Sequence, residues 1–128
     1  MMKPEELKYT KDHIWVKAEG DTAVIGLSDY AQNELGDIVF VEMPETGSKV
    51  TKGESFGTVE SVKSVSDIIA PVNGEVVGFN QTLEDTPETI NSDPYGKGWI
   101  IKVSISNADE LGDLLDHAAY NEFTESEM

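Results

Sequence analysis

Gly57-Thr58-Val59-Glu60-Ser61-Val62-Lys63-Ser64-Val65-Ser66-Asp67-Ile68-Ile69-Ala70-Pro71 is the stretch that decides the fold. Two runs rich in β-branched residues flank a short polar segment with a lysine near its middle, which predicts a β-hairpin with Lys63 at its tip. The arms are expected at Phe56 to Val59 and at Ile68 to Val72. Neither Asn-Gly nor Asp-Gly stands at the tip, so a tight two-residue turn is not signalled. The link is longer, and Lys63 stands away from the packed body.

Most lysines are simply solvated, and a hairpin tip is a natural place for one. A lysine used as a base or nucleophile needs a desolvated or cationic pocket. Flanking Glu60 and Asp67 argue against that use, and Ser61, Ser64 and Ser66 keep the tip small. An exposed amine among small hydroxyl side chains fits an attachment point better than a catalytic group.

Phe56-Gly57-Thr58-Val59-Glu60-Ser61-Val62-Lys63-Ser64, then Ser66-Asp67-Ile68 and Ala70-Pro71-Val72-Asn73-Gly74-Glu75-Val76, resembles the lipoyl-lysine hairpin of glycine cleavage system H proteins. Biotinyl carriers place their lysine between methionines, whereas Val62 and Ser64 flank it here. Lipoyl domains of 2-oxo acid dehydrogenases show Asp-Lys-Ala, from which Val62-Lys63-Ser64 also departs.

The wider chain bounds the reading. Its 128 residues are enough for one domain, taken as 1–128, with a modest core. No stretch approaches the roughly 18 consecutive apolar residues of a membrane span. Met1-Met2-Lys3-Pro4-Glu5-Glu6 has neither the apolar core of a signal peptide nor the Arg-rich character of a transit peptide, so a cytoplasmic protein is expected. There is no cysteine, which excludes disulfides and thiolate metal sites and leaves sulfur chemistry to a cofactor. With 25 acidic residues against 9 basic ones, all lysine, the net charge is -16. Nucleic acid is a poor partner for such a surface. Solubility and steering toward basic docking faces are both consistent with it.

Residues 7–18 read as a strand with a polar interruption, Glu19-Gly20-Asp21 as a turn and Thr22 to Leu27 as an antiparallel partner strand. His13 has His117 as its only fellow histidine and no cluster at ligand spacing, so a structural or surface role is expected; Trp15 belongs in the core. Ser28 to Gly36 is a short helix with Ser28 as N-cap, Gly36 as stop and an inward stripe of Tyr30, Ala31 and Leu35. Asp37 to Met43 is apolar enough for a strand buried on both faces or central to a sheet, and Pro44-Glu45-Thr46-Gly47 ends it as a turn. Gly36-Asp37-Ile38-Val39 is echoed by Gly74-Glu75-Val76-Val77 across the hairpin. Asn80 to Asn91 reads as loop, Ser92 to Trp99 as turns, and Ile100 to Ile105 as a closing strand. Gly96 and Gly98 lack the Lys-Ser/Thr ending of a phosphate loop. Asn107 to Leu115 is a short helix capped by Asn107; His117 to Phe123 adds a second helical segment, and Thr124 to Met128 a frayed tail.

These outer blocks extend the resemblance. Tyr9 through Val16, Gly26 through Gln32, Leu35 through Val41 and Asn91 through Trp99 are all similar to H protein segments. A bare lipoyl domain of about 80 residues would lack the N-terminal strand pair and the helices. The fold implied is mainly β, a lipoyl/biotinyl-type barrel-sandwich hybrid of two small antiparallel sheets with a lysine-tipped hairpin. Short helices accompany it, including a C-terminal one. The function implied is a non-catalytic, monomeric carrier with lipoate on Lys63. It would take the aminomethyl group of glycine from glycine decarboxylase (P protein, pyridoxal-phosphate-dependent) to the tetrahydrofolate-dependent aminomethyltransferase (T protein). Dihydrolipoyl dehydrogenase (L protein) would then reoxidise it. Glu60 and Gly74 match positions used for recognition by the lipoylating enzymes; a solvated charge and a strand-turn glycine are the plainer readings. Many members carry Glu before the tryptophan, where this chain has Ile14, which leaves Asp67 or Asp12 as candidate contacts for the loaded arm. Two alternatives stay open: a lipoyl protein that relays lipoate to other enzymes, and an unmodified acidic β-sandwich that binds a partner. A hydrolase is disfavoured, since no nucleophile–base–orienter set is evident.

Overall fold

The computed structural model describes residues 4–127. Met1 to Lys3, part of the segment read as lacking a leader, and Met128 of the expected tail lie outside the described residues. The N-terminal strand pair forms where expected, with its polar interruption at the break between β1 (Lys8–Tyr9) and β2 (Ile14–Glu19). β2 pairs antiparallel with β3 (Thr22–Leu27), Trp15 facing Gly26 and Ile14 facing Leu27. Gly26 is required there, because a Cβ would lie 2.6 Å from the Trp15 indole.

The remaining strands are β4 (Ile38–Glu42), β5 (Lys49–Val50), β6 (Ser55–Ser61), β7 (Val65–Ile69), β8 (Gly74–Phe79) and β9 (Ile101–Ile105). They form a six-stranded sheet in the order β1-β2-β3-β9-β8-β5 and a three-stranded sheet in the order β4-β6-β7. The core lies between them, joining Ile14, Ile25 and Val103 of the large sheet to Ile38, Val41, Val59 and Ile68 of the small one. This is the mainly β architecture of two antiparallel sheets that the resemblance implied. The two echoing segments open β4 and β8, one in each sheet.

Helix α1 (Asp29–Leu35) starts and stops as its sequence dictates. Ser28 Oγ accepts from Ala31 N at 3.2 Å, and Gly36 ends the helix at φ +80°. Ala31 and Gln32 are buried, while Tyr30 and Leu35 pack from the margin.

Four expectations need correction. Asp37 to Met43 is neither buried on both faces nor central: β4 is an edge strand, and it turns only Ile38 and Val41 inward. A bulge between Ile38 and Phe40 leaves Val39 and Phe40 exposed. Asn80 to Asn91 is not plain loop but carries α2 (Thr82–Asp85) and α3 (Thr89–Ser92), each anchored by one fully buried apolar residue, Leu83 or Ile90. Four-residue helices of this kind hold through tertiary packing rather than propensity. The Asn107 segment forms a 3-10 helix over Ala108–Asp113, with Asn107 Oδ1 accepting from Asp109 N as a cap should. The tail does not fray at Thr124: α4 (His117–Glu127) runs through it, Thr124 is buried, and its Oγ1 donates to Asn121 O at 3.0 Å.

A satellite cluster of Leu7, Tyr9, Trp15, Val24 and Tyr120 joins α4 to β1 and β2. Tyr9 stacks on Tyr120 with ring centroids 4.4 Å apart, and Trp15 Nε1 donates to Pro94 O at 2.9 Å. Among the described residues no buried side-chain nitrogen or oxygen lacks a partner.

Candidate functional site: the hairpin tip and its cleft

The strands of the hairpin run closer to the tip than the sequence implied. β6 continues to Ser61 and β7 begins at Val65, so the link is Val62 to Ser64. The Ser61 side chain explains the tightness. Its Oγ accepts from the backbone N–H groups of Lys63 and Ser64 at 3.2 and 3.1 Å, and Ser61 N donates to Ser64 O at 2.8 Å. A serine thus supplies local turn bonds that Asn-Gly would supply in a shorter hairpin.

A second anchor comes from the helix–strand joint. Val62 N donates to Asp37 O at 3.1 Å, and the Lys63 stem lies over Gly36, where a Cβ would sit 3.2 Å from Lys63 Cε. The side chain of Asn91 in α3 fixes that joint. Its Nδ2 donates to Gly36 O and to Gln32 Oε1, and its Oδ1 accepts from Ile38 N, all at 2.9 Å. Lys63 itself is exposed, and among the described residues its ammonium makes no hydrogen bond or ion pair. The backbone of the tip is therefore fixed while its amine is left free.

Beside the tip is a cleft of about 210 Å³ between α1, β7 and the β1–β2 break. Leu27, Ala31, Leu35 and Val59 give it an apolar lining, and Asp12, His13, Glu34, Ser66 and Asp67 add polar groups. It begins close to the lysine in chain terms, since Leu35 precedes Gly36 and Ser66 stands three residues beyond Lys63. Asp12 and Asp67, proposed from sequence as arm contacts, both line this cleft. The Asp67 carboxylate also accepts from Ser55 Oγ across the hairpin at 3.4 Å. Ile14 does not line it: the side chain is 1% exposed and packs in the core.

Glu34 and His13 line the cleft too, and neither was singled out for it from sequence. Glu34 had a usable signal, since Ala31, Glu34 and Leu35 fall three and four residues apart on one face of α1. His13 had none. It takes φ +66°, shares a 2.8 Å hydrogen bond between Nδ1 and Tyr120 Oη, and packs on Tyr30 at 4.7 Å. Tyr120 Oη in turn bonds Ser28 Oγ at 2.6 Å, so the structural role expected for His13 holds alongside its place in the cleft wall.

The two recognition candidates part company. Glu60 lies one residue before the tip strand's end, half-buried, facing Val65 on one side and Phe40 on the other. Gly74 lies in the other sheet, buried at the start of β8, where a Cβ would run into Ser104 O. Close strand packing accounts for that glycine.

Two other clefts each include groups that are already engaged. Lys52 pairs with Asp113 at 3.0 Å, and Tyr95 Oη accepts from Asp29 N at 2.9 Å. Among the described residues no group of His, Cys, Asp or Glu is placed to hold a metal ion, and no helix is long and apolar enough to cross a membrane.

Comparison with known proteins bears on what such a tip is for. The family model described as Glycine cleavage H-protein matches residues 7–127. The chain is 57% identical over 122 residues to the glycine cleavage system H protein of Staphylococcus carnosus (strain TM300), covering 95% of this chain and 97% of that one. It is 53% identical over 121 residues to the protein of the same name from Symbiobacterium thermophilum, covering 94% of each. The crystal structure of a glycine cleavage system H protein from Mycobacterium marinum superposes with a TM-score of 0.84 at 40% identity, covering 98% of both chains. Sequence and fold agree over nearly the whole length, and the chain belongs to the glycine cleavage H-protein family.

Proposed function

We propose that the protein is the lipoyl-bearing carrier of the glycine cleavage system, a non-catalytic cytoplasmic monomer whose residues 1–128 form one carrier domain with lipoate in amide linkage to Lys63. One observation carries this reading: an exposed, unpaired amine on a backbone-fixed tip beside an apolar-lined cleft. The residues present fit the group. Leu27, Ala31, Leu35 and Val59 offer apolar contact to an aliphatic arm, and Asp12, Glu34 and Asp67 favour a cationic amine at its end. When bound, lipoate supplies the disulfide–dithiol couple for which this chain has no cysteine.

The protein carries the glycine-derived aminomethyl group from glycine decarboxylase to aminomethyltransferase and is reoxidised by dihydrolipoyl dehydrogenase. Its own contribution is physical. Ser61, Gly36 and Asp37 fix where the arm is rooted, so the tether holds its end at high effective concentration in each partner's site. The cleft takes the arm out of water between encounters.

Intact mass tests the assignment directly. After incubation of the full chain with lipoate, ATP and a lipoyl-protein ligase, a single lipoyl increment is expected on the peptide containing Lys63. Lys63→Arg is expected to stay at its starting mass with an unchanged thermal midpoint. A wild-type Lys63 left bare under these conditions overturns the carrier reading.

A further inference from the structure

A chain of hydrogen bonds runs from the N-cap of α1 to the cleft wall, and donor and acceptor chemistry gives it a direction. Ser28 is fully buried, and among the described residues its Oγ has two partners, Ala31 N at 3.2 Å and Tyr120 Oη at 2.6 Å. The amide can only donate, so the serine hydroxyl hydrogen has Tyr120 Oη as its acceptor. Pointed elsewhere, it would be a buried donor without a partner. Tyr120 Oη then receives one proton and keeps its own to give. His13 Nδ1, 2.8 Å away, is in place to accept it. An Nδ1 that accepts leaves the proton of the imidazole on Nε2.

The backbone closes the ring of bonds. Ser28 N donates to His13 O at 3.0 Å, and His13 N donates to Thr10 O at 3.1 Å, with His13 at φ +66°. A non-glycine residue in this left-handed region costs free energy and persists where its surroundings over-determine it. Here the surroundings are aromatic. The ring centroid of Tyr30 lies 4.7 Å from that of His13, and those of Tyr120 and Phe123 each lie 5.8 Å away. Tyr120 and Phe123 stand three residues apart on α4, so that helix supplies two of the three rings and the hydroxyl.

Tyr120 does not line the arm's cleft, whereas His13 does. What α4 contributes to the cleft is therefore the placement of His13. The proton's position matters too, since Asp12, Glu34 and Asp67 share that lining. An imidazolium there would compete with a cationic arm end for those carboxylates. An imidazole whose Nδ1 already accepts from Tyr120 does not.

We infer that Tyr120 is a positioning residue of the arm's cleft: its hydroxyl, directed by Ser28, holds His13 in the wall with Nδ1 as acceptor and the proton on Nε2. The docking of α4 thus sets how firmly the loaded arm is seated. This rests on the carrier reading above.

Two measurements test it. The first uses the full, unloaded chain with 15N-labelled histidine at about pH 8. His13→Asn identifies the His13 signals, because asparagine tolerates a positive φ. Long-range proton–nitrogen correlation is expected to show Nδ1 unprotonated and hydrogen-bonded and Nε2 protonated. In Tyr120→Phe the Nδ1 signal is expected to move to the position of an imidazole nitrogen that accepts no bond. A protonated Nδ1 in the wild type overturns the relay. The second measurement uses the chain loaded with lipoate, its arm reduced with dithiothreitol that is then removed. The chain has no cysteine, so a water-soluble thiol reagent reads the arm alone. The wild-type arm is expected to react more slowly than free dihydrolipoamide, and Tyr120→Phe to raise its rate about threefold. Leu83→Val, which shortens a buried side chain on α2, is expected to leave both readouts unchanged. Should Tyr120→Phe fold poorly by circular dichroism, His13→Asn decides by the thiol rate, which is expected to rise. An unchanged thiol rate in the folded variant, or a wild-type arm as reactive as free dihydrolipoamide, overturns the positioning role while a loaded Lys63 preserves the carrier reading. Failure of the wild type to load overturns the carrier reading and leaves the His13 proton to be read on the unloaded chain.

Discussion

The two sheets use similar residues for different ends. β3 and β4 are both apolar runs, yet β3 buries Ala23 through Leu27 and β4 leaves Val39 and Phe40 exposed. The difference is position: β3 has a partner strand on each side, whereas β4 is the edge of a three-stranded sheet. In the large sheet apolar side chains stabilise the fold, and in the small one some of them remain on the surface. Apolar content says that a strand has something to cover, and its place in the sheet says what.

Parallel truncations in the two strands give the largest contrast. Ile25 is fully buried, and Ile25→Ala is expected to cost about 2–5 kcal/mol. Phe40 is half-exposed, and Phe40→Ala is expected to cost at most about 1 kcal/mol. Urea unfolding of both variants checks the pair, and equal losses would break the contrast between the sheets.

High pH sharpens the same contrast, because the small sheet's strands contain no tyrosine. On the large sheet's side, burial raises the Tyr9 phenol well above its ordinary value, with Tyr95 beside it adding to the shift; burial raises Tyr95 as well. The folded chain thus keeps a Tyr9 proton that the unfolded chain releases above about pH 10. Its contribution is fully present below that pH and is lost as pH rises above it. Each further pH unit is expected to remove about 1.4 kcal/mol for that one proton. Urea titrations at pH 9, 10 and 11 measure the slope, which Tyr9→Phe is expected to flatten. A wild-type stability that stays level from pH 10 to 11 rules this out.

What could be read in advance follows from where each signal resides. The hairpin, the Ser28 cap and the Gly36 stop were legible, since each depends on residues within a few positions. The exposure of β4 was not, because an edge position is a property of the assembled sheet. Helices α2 and α3 escaped for the same reason: Leu83 and Ile90 are single apolar residues in polar surroundings and are anchored only by the finished core. In the cleft, Asp12 and Asp67 came through the family resemblance and Glu34 had a helical spacing to offer. His13 depended on Tyr120, 107 residues away, which no local pattern encodes.

The smallest expected effect falls on the tip, where stability and presentation should separate. Ser61→Ala removes the acceptor for the Lys63 and Ser64 amides and the hydroxyl that donates to Ser64 O at 3.3 Å. The ladder bond from Ser61 N to Ser64 O and the bond from Val62 N to Asp37 O both survive, so the hairpin stays formed. These lost bonds are solvent-exposed, and the expected cost is about 0.5–1 kcal/mol. The freed amides of Lys63 and Ser64, by contrast, should exchange with solvent markedly faster, while those of Val24 and Ile25 in β3 keep their protection. Hydrogen exchange read by NMR on the folded variant measures both strands at once. Unchanged exchange at the tip would mean that the strand ladder alone holds Lys63 in place, leaving Ser61 a solvated side chain. Faster exchange confined to the tip would mean that one serine fixes the root of the arm almost independently of the core beneath it.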